Sequence, residues 1–60
     1  MTMEEKYETY KKGTTIKPKD PKWRGYWTVI SVNRWSVVAI SVDTGKEEIF
    51  LFTEIGEVIN

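Results

Sequence analysis

Few residues of this 60-residue chain have side chains suited to catalysis. The chain contains neither cysteine nor histidine, which excludes disulfides, Cys/His zinc sites and a histidine general base. Ser31, Ser36 and Ser41 fall in predicted strands without a histidine to activate a hydroxyl. Glu47 and Glu48 are adjacent in a predicted strand and therefore point to opposite faces, which makes them poor partners for acid–base work. We expect no enzyme, no bound metal and no cofactor.

Charge is distributed unevenly along the chain, although the formal net charge is zero. Residues 1–10 carry −2, residues 11–35 carry +6 and residues 36–60 carry −4. Cations interleaved with aromatic rings are typical of surfaces that pair phosphates and stack bases. The alternative is a solvated basic loop, and the acidic segments on both sides weaken any long-range attraction to nucleic acid. The residues of this candidate single-stranded nucleic-acid site are Lys11, Lys12, Lys17, Lys19, Lys22, Trp23 and Arg24.

Two of the three tryptophans lie where a binding partner could reach them. Trp23 falls in a loop between charged residues, and Trp35 lies beside a predicted hairpin turn. Tryptophan, tyrosine and arginine are enriched at protein interfaces. The alternative is that a chain this short needs its tryptophans to fill a small core. The candidate protein-binding residues are Trp23, Arg24, Tyr26, Arg34 and Trp35.

The elements that must position these side chains are predicted strands. Residues 26–32, 35–42 and 47–53 are rich in Val, Ile, Phe, Trp and Thr, which favours an antiparallel meander. Asn33-Arg34 is predicted as a two-residue turn with Asn33 at positive φ, and Gly45 takes the left-handed position in the next connection. Pro18 closes a first strand that is short or at an edge. Residues 55–59 add a last short strand after a kink near Gly56.

These turns fix the predicted register and, with it, the predicted core. Val32 is placed opposite Trp35, so Val29 faces Val38, and Val42 is placed opposite Glu47. The other face of the meander is also apolar and requires a cover. Closure of a bent sheet into a barrel, the N-terminal helix, the C-terminal tail or a second chain could each supply it, the last as a homodimer formed through that face or through an open edge. That other face carries Ile30, Val37, Ala39 and Phe50 among others, and the predicted core consists of Trp27, Val29, Val38, Ile40, Ile49 and Leu51.

The chain is long enough for one small domain, covering residues 1–60. The Thr2-x-x-Glu5 capping pattern and the spacing of Met3, Tyr7 and Tyr10 favour a helix within residues 1–12, with a frayed arm or a strand as the alternatives, before a barrel over residues 13–60. The start of the chain is acidic and polar, unlike a signal peptide, and no apolar stretch approaches the length of a membrane span. We expect a cytoplasmic protein without membrane contact.

Residues 13–17 (Gly-Thr-Thr-Ile-Lys) and 25–29 (Gly-Tyr-Trp-Thr-Val) resemble the SH3-like small barrels, including KOW-type modules. The resemblance covers residues 13–41, and the glycines usual within KOW loops are missing. It implies a strongly bent barrel of four to five antiparallel strands that serves as a binding platform. A compact cysteine-free chain of this kind also resembles small phage accessory proteins.

The predicted function is a noncatalytic binding module. The leading hypothesis is protein–protein interaction or assembly, including self-association as a homodimer. The alternative is binding of single-stranded nucleic acid through residues 11–35, and no small-molecule substrate is expected.

Overall fold

The computed structural model describes residues 10–59, which form five β-strands and one short 3-10 turn. The strands are β1 (Thr15–Pro18), β2 (Trp27–Val32), β3 (Ser36–Ser41), β4 (Glu47–Leu51) and β5 (Ile55–Ile59). The turn Phe52–Glu54 connects β4 to β5. The mostly-β prediction, with four to five antiparallel strands, is confirmed.

The five strands form one open sheet in the order β4-β3-β2-β1-β5, and each neighbouring pair is antiparallel. β1 is short, as predicted, and lies between β2 and β5. Because β4 and β5 form the two edges, the predicted closure into a barrel is not observed in the described part of the chain.

The short link between the two edge strands requires a strongly bent sheet. In a flat sheet, strand spacings of about 4.8 Å would place β4 and β5 roughly 19 Å apart. The four Cα–Cα steps from Leu51 to Ile55 span at most about 14 Å when fully extended. Phe50 of β4 and Ile55 of β5 belong to the same buried cluster, which is consistent with a sheet that bends around its core.

The β2–β3 hairpin differs from the sequence prediction in its turn. The backbone N–H of Asn33 donates to the Ser36 carbonyl at 2.7 Å, so Arg34 and Trp35 occupy the turn. Among the described residues only glycines have positive φ, so the prediction of a left-handed Asn33 is wrong. Val32 consequently lies opposite Val37 and not opposite Trp35. This shift of two positions leaves every side chain on its predicted face.

A β-bulge in β2 changes which side chains of β2 and β3 share a face of the sheet. Val29 lies opposite Ala39, but Ser31 lies opposite Val38, so Ile30 is the extra residue on its strand. Beyond the bulge the parity of the pairing changes, and Trp27 and Val29 share a face with Val37 and Ala39.

The bulge explains why four of the six predicted core residues are wrong. Trp27 and Val29 are buried as predicted, but Val38 and Ile40 are only partly buried, and Ile49 and Leu51 are exposed. Their strand neighbours, which the sequence placed on the opposite face, fill the core instead. The buried apolar cluster is Ile16, Trp27, Val29, Val37, Ala39, Phe50 and Ile55.

The β3–β4 connection contains the predicted left-handed glycine, since Gly45 has φ 76°. The Ser41 hydroxyl oxygen accepts the N–H groups of Asp43 and Thr44 at 3.2 and 3.1 Å. β4 then pairs with β3 so that Val38 lies opposite Ile49 and Ile40 opposite Glu47. The predicted pairing of β3 with β4 is therefore displaced by two residues, which preserves the faces.

The predicted last strand is confirmed as β5. The 3-10 turn before it is tied to β4 by Glu54, whose carboxylate accepts the N–H of Leu51 at 2.9 Å. The predicted helix over residues 1–12 lies largely outside the described residues. Among residues 10–59, no helix has the length and apolar character needed to cross a membrane.

Candidate binding surfaces

The largest exposed apolar side chains of β4 lie on the outer face of the bent sheet. Ile49 is 66% exposed and Leu51 is 49% exposed, and Val38 of β3 lies directly opposite Ile49. We call Val38, Ile49 and Leu51 the outer stripe. Because β4 is an edge strand, this stripe continues to the boundary of the sheet. No other strand among residues 10–59 pairs with this edge. An apolar stripe that reaches such an edge is suited to contact with another chain.

Trp35 lies at one end of the outer stripe. It is 66% exposed in the β2–β3 turn, and the Arg34 guanidinium lies 5.4 Å from the centroid of its ring. Trp35 and Leu51 line a cavity of about 340 Å³ together with Phe52 and Thr53. The predicted binding residues Arg34 and Trp35 are therefore adjacent to exposed Leu51, which sequence analysis had assigned to the core.

Trp23 anchors the loop before β2 to the core. Its ring is partly buried and lies nearly perpendicular to those of Trp27 and Phe50, at centroid distances of 6.0 and 5.4 Å. Trp27 and Phe50 are themselves 5.0 Å apart. The Lys22 ammonium lies 5.2 Å from the Trp23 centroid, over the ring. Trp23 therefore packs against the core and is also partly exposed at the surface.

A cleft of about 270 Å³ lies between the loop before β2 and the β3–β4 connection. We call it the basic cleft, because three of its residues are cations. Two of them, Lys22 and Arg24, were singled out in the sequence, whereas Lys46 is brought in by the fold. Its lining consists of Lys22, Trp23, Arg24, Trp27, Ser41, Thr44 and Lys46.

The other basic residues of the candidate nucleic-acid site are not lining residues of this cleft. Lys11 and Lys12 line a separate cavity of about 310 Å³ with residues of β1 and β5. Lys17 lies in β1 with its ammonium 5.8 Å from the Tyr26 ring centroid. Lys19 packs its side chain against Gly56. The structure thus divides the predicted basic set, and nucleic-acid binding stays a prediction.

The five predicted protein-binding residues are divided among three places. Trp23 and Arg24 line the basic cleft, Arg34 and Trp35 lie at the β2–β3 turn, and Tyr26 is exposed beside Lys17. Trp27, and not Tyr26, occupies the core, as predicted from their adjacency in one strand.

Carboxylates of the described residues do not gather into a metal site: no three acidic groups come close enough to hold an ion. Glu47 and Glu48 lie on the edge strand β4, and Glu54 binds the Leu51 backbone at the same edge.

Sequence reasoning missed two parts of these surfaces. Ile49 and Leu51 were assigned to the core because the bulge at Ile30 was not anticipated. Ser41, Thr44 and Lys46 join the basic cleft through the β3–β4 connection, and their separation from Lys22 along the chain gave no signal of that contact.

Comparisons of this chain with protein-family models, with curated proteins and with solved structures found no match.

Proposed function

We propose that this chain is a noncatalytic protein-binding module, built as a small SH3-like barrel, that self-associates through the edge of β4. The barrel assignment is supported by the five-strand order and by the bend that the short β4–β5 link requires. The observation that carries the function is the exposed, apolar and unpaired edge that β4 presents.

Backbone groups of β4 are available for pairing at this edge. In an antiparallel ladder, alternate residues bond to one neighbour and the residues between them face the other side. The Ser41 N–H donates to Lys46 and the Phe52 N–H donates to Trp35, so the even-numbered residues of this segment face β3. The N–H and C=O groups of Glu47 and Ile49 therefore point to the open edge.

A second copy fits this edge in one favoured antiparallel register. Centring the pair on Ile49 places Ile49 opposite its counterpart and Glu47 opposite Leu51 of the other copy. No carboxylate then faces another carboxylate, whereas a register centred on Glu48 would place two glutamates in direct opposition. The Leu51 N–H already donates to Glu54, so each Glu47–Leu51 pair contributes one ladder bond, from the Glu47 N–H to the Leu51 carbonyl.

Side chains support the same pairing. The centred register aligns Val38 and Ile49 of one copy with Ile49 and Val38 of the other, giving one apolar row across four strands. A net charge of zero removes overall repulsion between copies. Pairing this edge also removes the aggregation hazard of an exposed strand.

The test is the solution mass of the chain as a function of concentration, measured by analytical ultracentrifugation. We expect a reversible dimer at micromolar to high-micromolar concentration for the wild type. Ile49→Lys should be monomeric, because it places two ammonium groups in opposition at the centre of the interface. Val42→Lys is the matched control, since Val42 is also well exposed (61%) but lies outside β4.

A strictly monomeric wild type at several hundred micromolar would overturn the proposal. Equal weakening of association by Ile49→Lys and Val42→Lys would place the contact elsewhere on the surface.

A further inference from the structure

The basic cleft shares no residue with the outer stripe, and its polar side chains are all able to donate hydrogen bonds. The Ser41 hydroxyl oxygen already accepts two backbone N–H groups, from Asp43 and Thr44. The Thr44 hydroxyl oxygen accepts the Lys46 N–H at 3.2 Å. Each hydroxyl therefore retains its O–H to donate to a ligand.

Trp27, which lines the cleft, carries an unpartnered donor. Its side chain is 4% exposed, and its indole N–H has no hydrogen-bond partner among the described residues. A buried N–H without an acceptor costs about 1–3 kcal/mol and is uncommon in folded proteins. With the ammonium groups of Lys22 and Lys46 and the guanidinium of Arg24, the cleft offers donors and positive charge. The complementary ligand group is an anion that only accepts hydrogen bonds.

The aromatic wall favours a carboxylate over a nucleobase. The Lys22 ammonium lies over the Trp23 ring, and the rings of Trp27 and Phe50 lie nearly perpendicular to it. A base stacking on that face would have to displace the ammonium, whereas a carboxylate would pair with it. The methylene groups of a glutamate side chain would also pack against the exposed part of the indole.

Two acidic residues lie beside the cleft without lining it. The Asp20 carboxylate accepts the Lys22 backbone N–H at 3.0 Å, and the Asp43 carboxylate lies against Gly25. Both carboxylates therefore contact backbone of the loop before β2. With three cations lining the cleft and two carboxylates beside it, the local charge remains positive.

We propose that the basic cleft is a docking site for an acidic peptide segment, with one aspartate or glutamate carboxylate received by Lys22, Arg24 and Lys46. The Trp27 indole N–H and the hydroxyls of Ser41 and Thr44 supply the neutral donors. The partner is thus a protein with an acidic exposed segment, bound independently of pairing at β4.

The experiment is a titration of the full chain with an acetylated, amidated hexaglutamate peptide, followed by proton–nitrogen NMR spectra. We expect saturable shifts that include the Trp27 indole N–H resonance, which should move downfield as it gains an acceptor. Arg24→Gln and Lys46→Gln should each weaken binding about two- to fivefold, the range for partly exposed ion pairs. Lys12→Gln is the matched control, because it removes the same charge at a different cavity.

Several results would overturn the proposal. A hexaglutamine peptide that binds as tightly would exclude recognition of the carboxylate, and equal losses in all three lysine and arginine variants would indicate general attraction by charge. An indole resonance of Trp27 that does not respond at saturation would remove the central donor. Tighter binding of a thymidine hexanucleotide, abolished by Arg24→Gln, would assign the cleft to nucleic acid. Because the basic cleft shares no residue with the outer stripe, failure of this titration leaves the dimer test at β4 unaffected.

Discussion

Val37 and Val38 are identical neighbours in β3 that face opposite sides of the sheet, so they provide a matched test of the bulge at Ile30. Val37 is fully buried at 0% exposure, whereas Val38 is partly exposed on the outer stripe. Threonine has nearly the shape of valine and similar β-propensity. Val37→Thr and Val38→Thr therefore differ mainly in whether the new hydroxyl is buried.

The expected cost follows from that difference in burial. An unpartnered hydroxyl in a protein interior costs about 1–3 kcal/mol. Val38→Thr should change the free energy of unfolding by no more than about 0.5 kcal/mol. A chain of 60 residues has a total stability of roughly 3–9 kcal/mol, so Val37→Thr should fold but unfold at a clearly lower temperature. Val37→Asp, which buries a carboxylate, should abolish folding, whereas Val38→Asp should fold.

The assay is urea and thermal unfolding followed by circular dichroism, at low micromolar concentration so that association does not contribute. A domain of this size should lose about 4–8 °C in Tm per kcal/mol. If Val38→Thr proved as costly as Val37→Thr, or if Val38→Asp failed to fold, the face assignment and the bulge would both be refuted.

The remaining predictions concern the turns and use the same unfolding assay. Gly25→Ala and Gly45→Ala should each lose about 1–2 kcal/mol because both glycines have positive φ. Gly25→Ala should lose more stability than Gly45→Ala, since its Cβ would meet the Asp43 carboxylate at 2.6 Å. Adding Asp43→Ala to Gly25→Ala should remove this extra loss. Equal losses for the two glycine variants, with no recovery from Asp43→Ala, would contradict the contact. Glu54→Ala should cost about 0.5–1.5 kcal/mol through the lost bond to the Leu51 N–H. Glu57→Ala, its exposed control, should stay within about 0.5 kcal/mol, and equal costs would show that the bond is unimportant.

Local sequence signals predicted the strands well, because each depends on neighbouring residues. Runs of β-branched and aromatic side chains marked β2, β3 and β4, and the positive φ of Gly45 followed from its place in a turn. The assignment of Trp27 to the core required only the alternation of side chains along one strand.

The relative faces of the strands were not predictable in the same way. A single extra residue, Ile30, changes the parity of a whole ladder, and nothing in its type or in its neighbours distinguishes it from a regular strand residue. The basic cleft could not be predicted either, because Lys22 and Lys46 are brought to the same cleft by the pairing of β2 with β3 and not by their positions in the sequence. Long-range geometry therefore set the surfaces that the function depends on.

Self-association through the β4 edge is tested most directly by a symmetric disulfide. The chain has no cysteine, so Ile49→Cys introduces one thiol per copy. Paired residues in a hydrogen-bonded antiparallel register lie about 5.5 Å apart between Cα atoms, within the range that a disulfide spans. Mild oxidation at micromolar concentration should convert Ile49→Cys to a covalent dimer rapidly, while Val42→Cys, equally exposed outside β4, should react slowly. Equal rates for the two variants would contradict pairing at this edge.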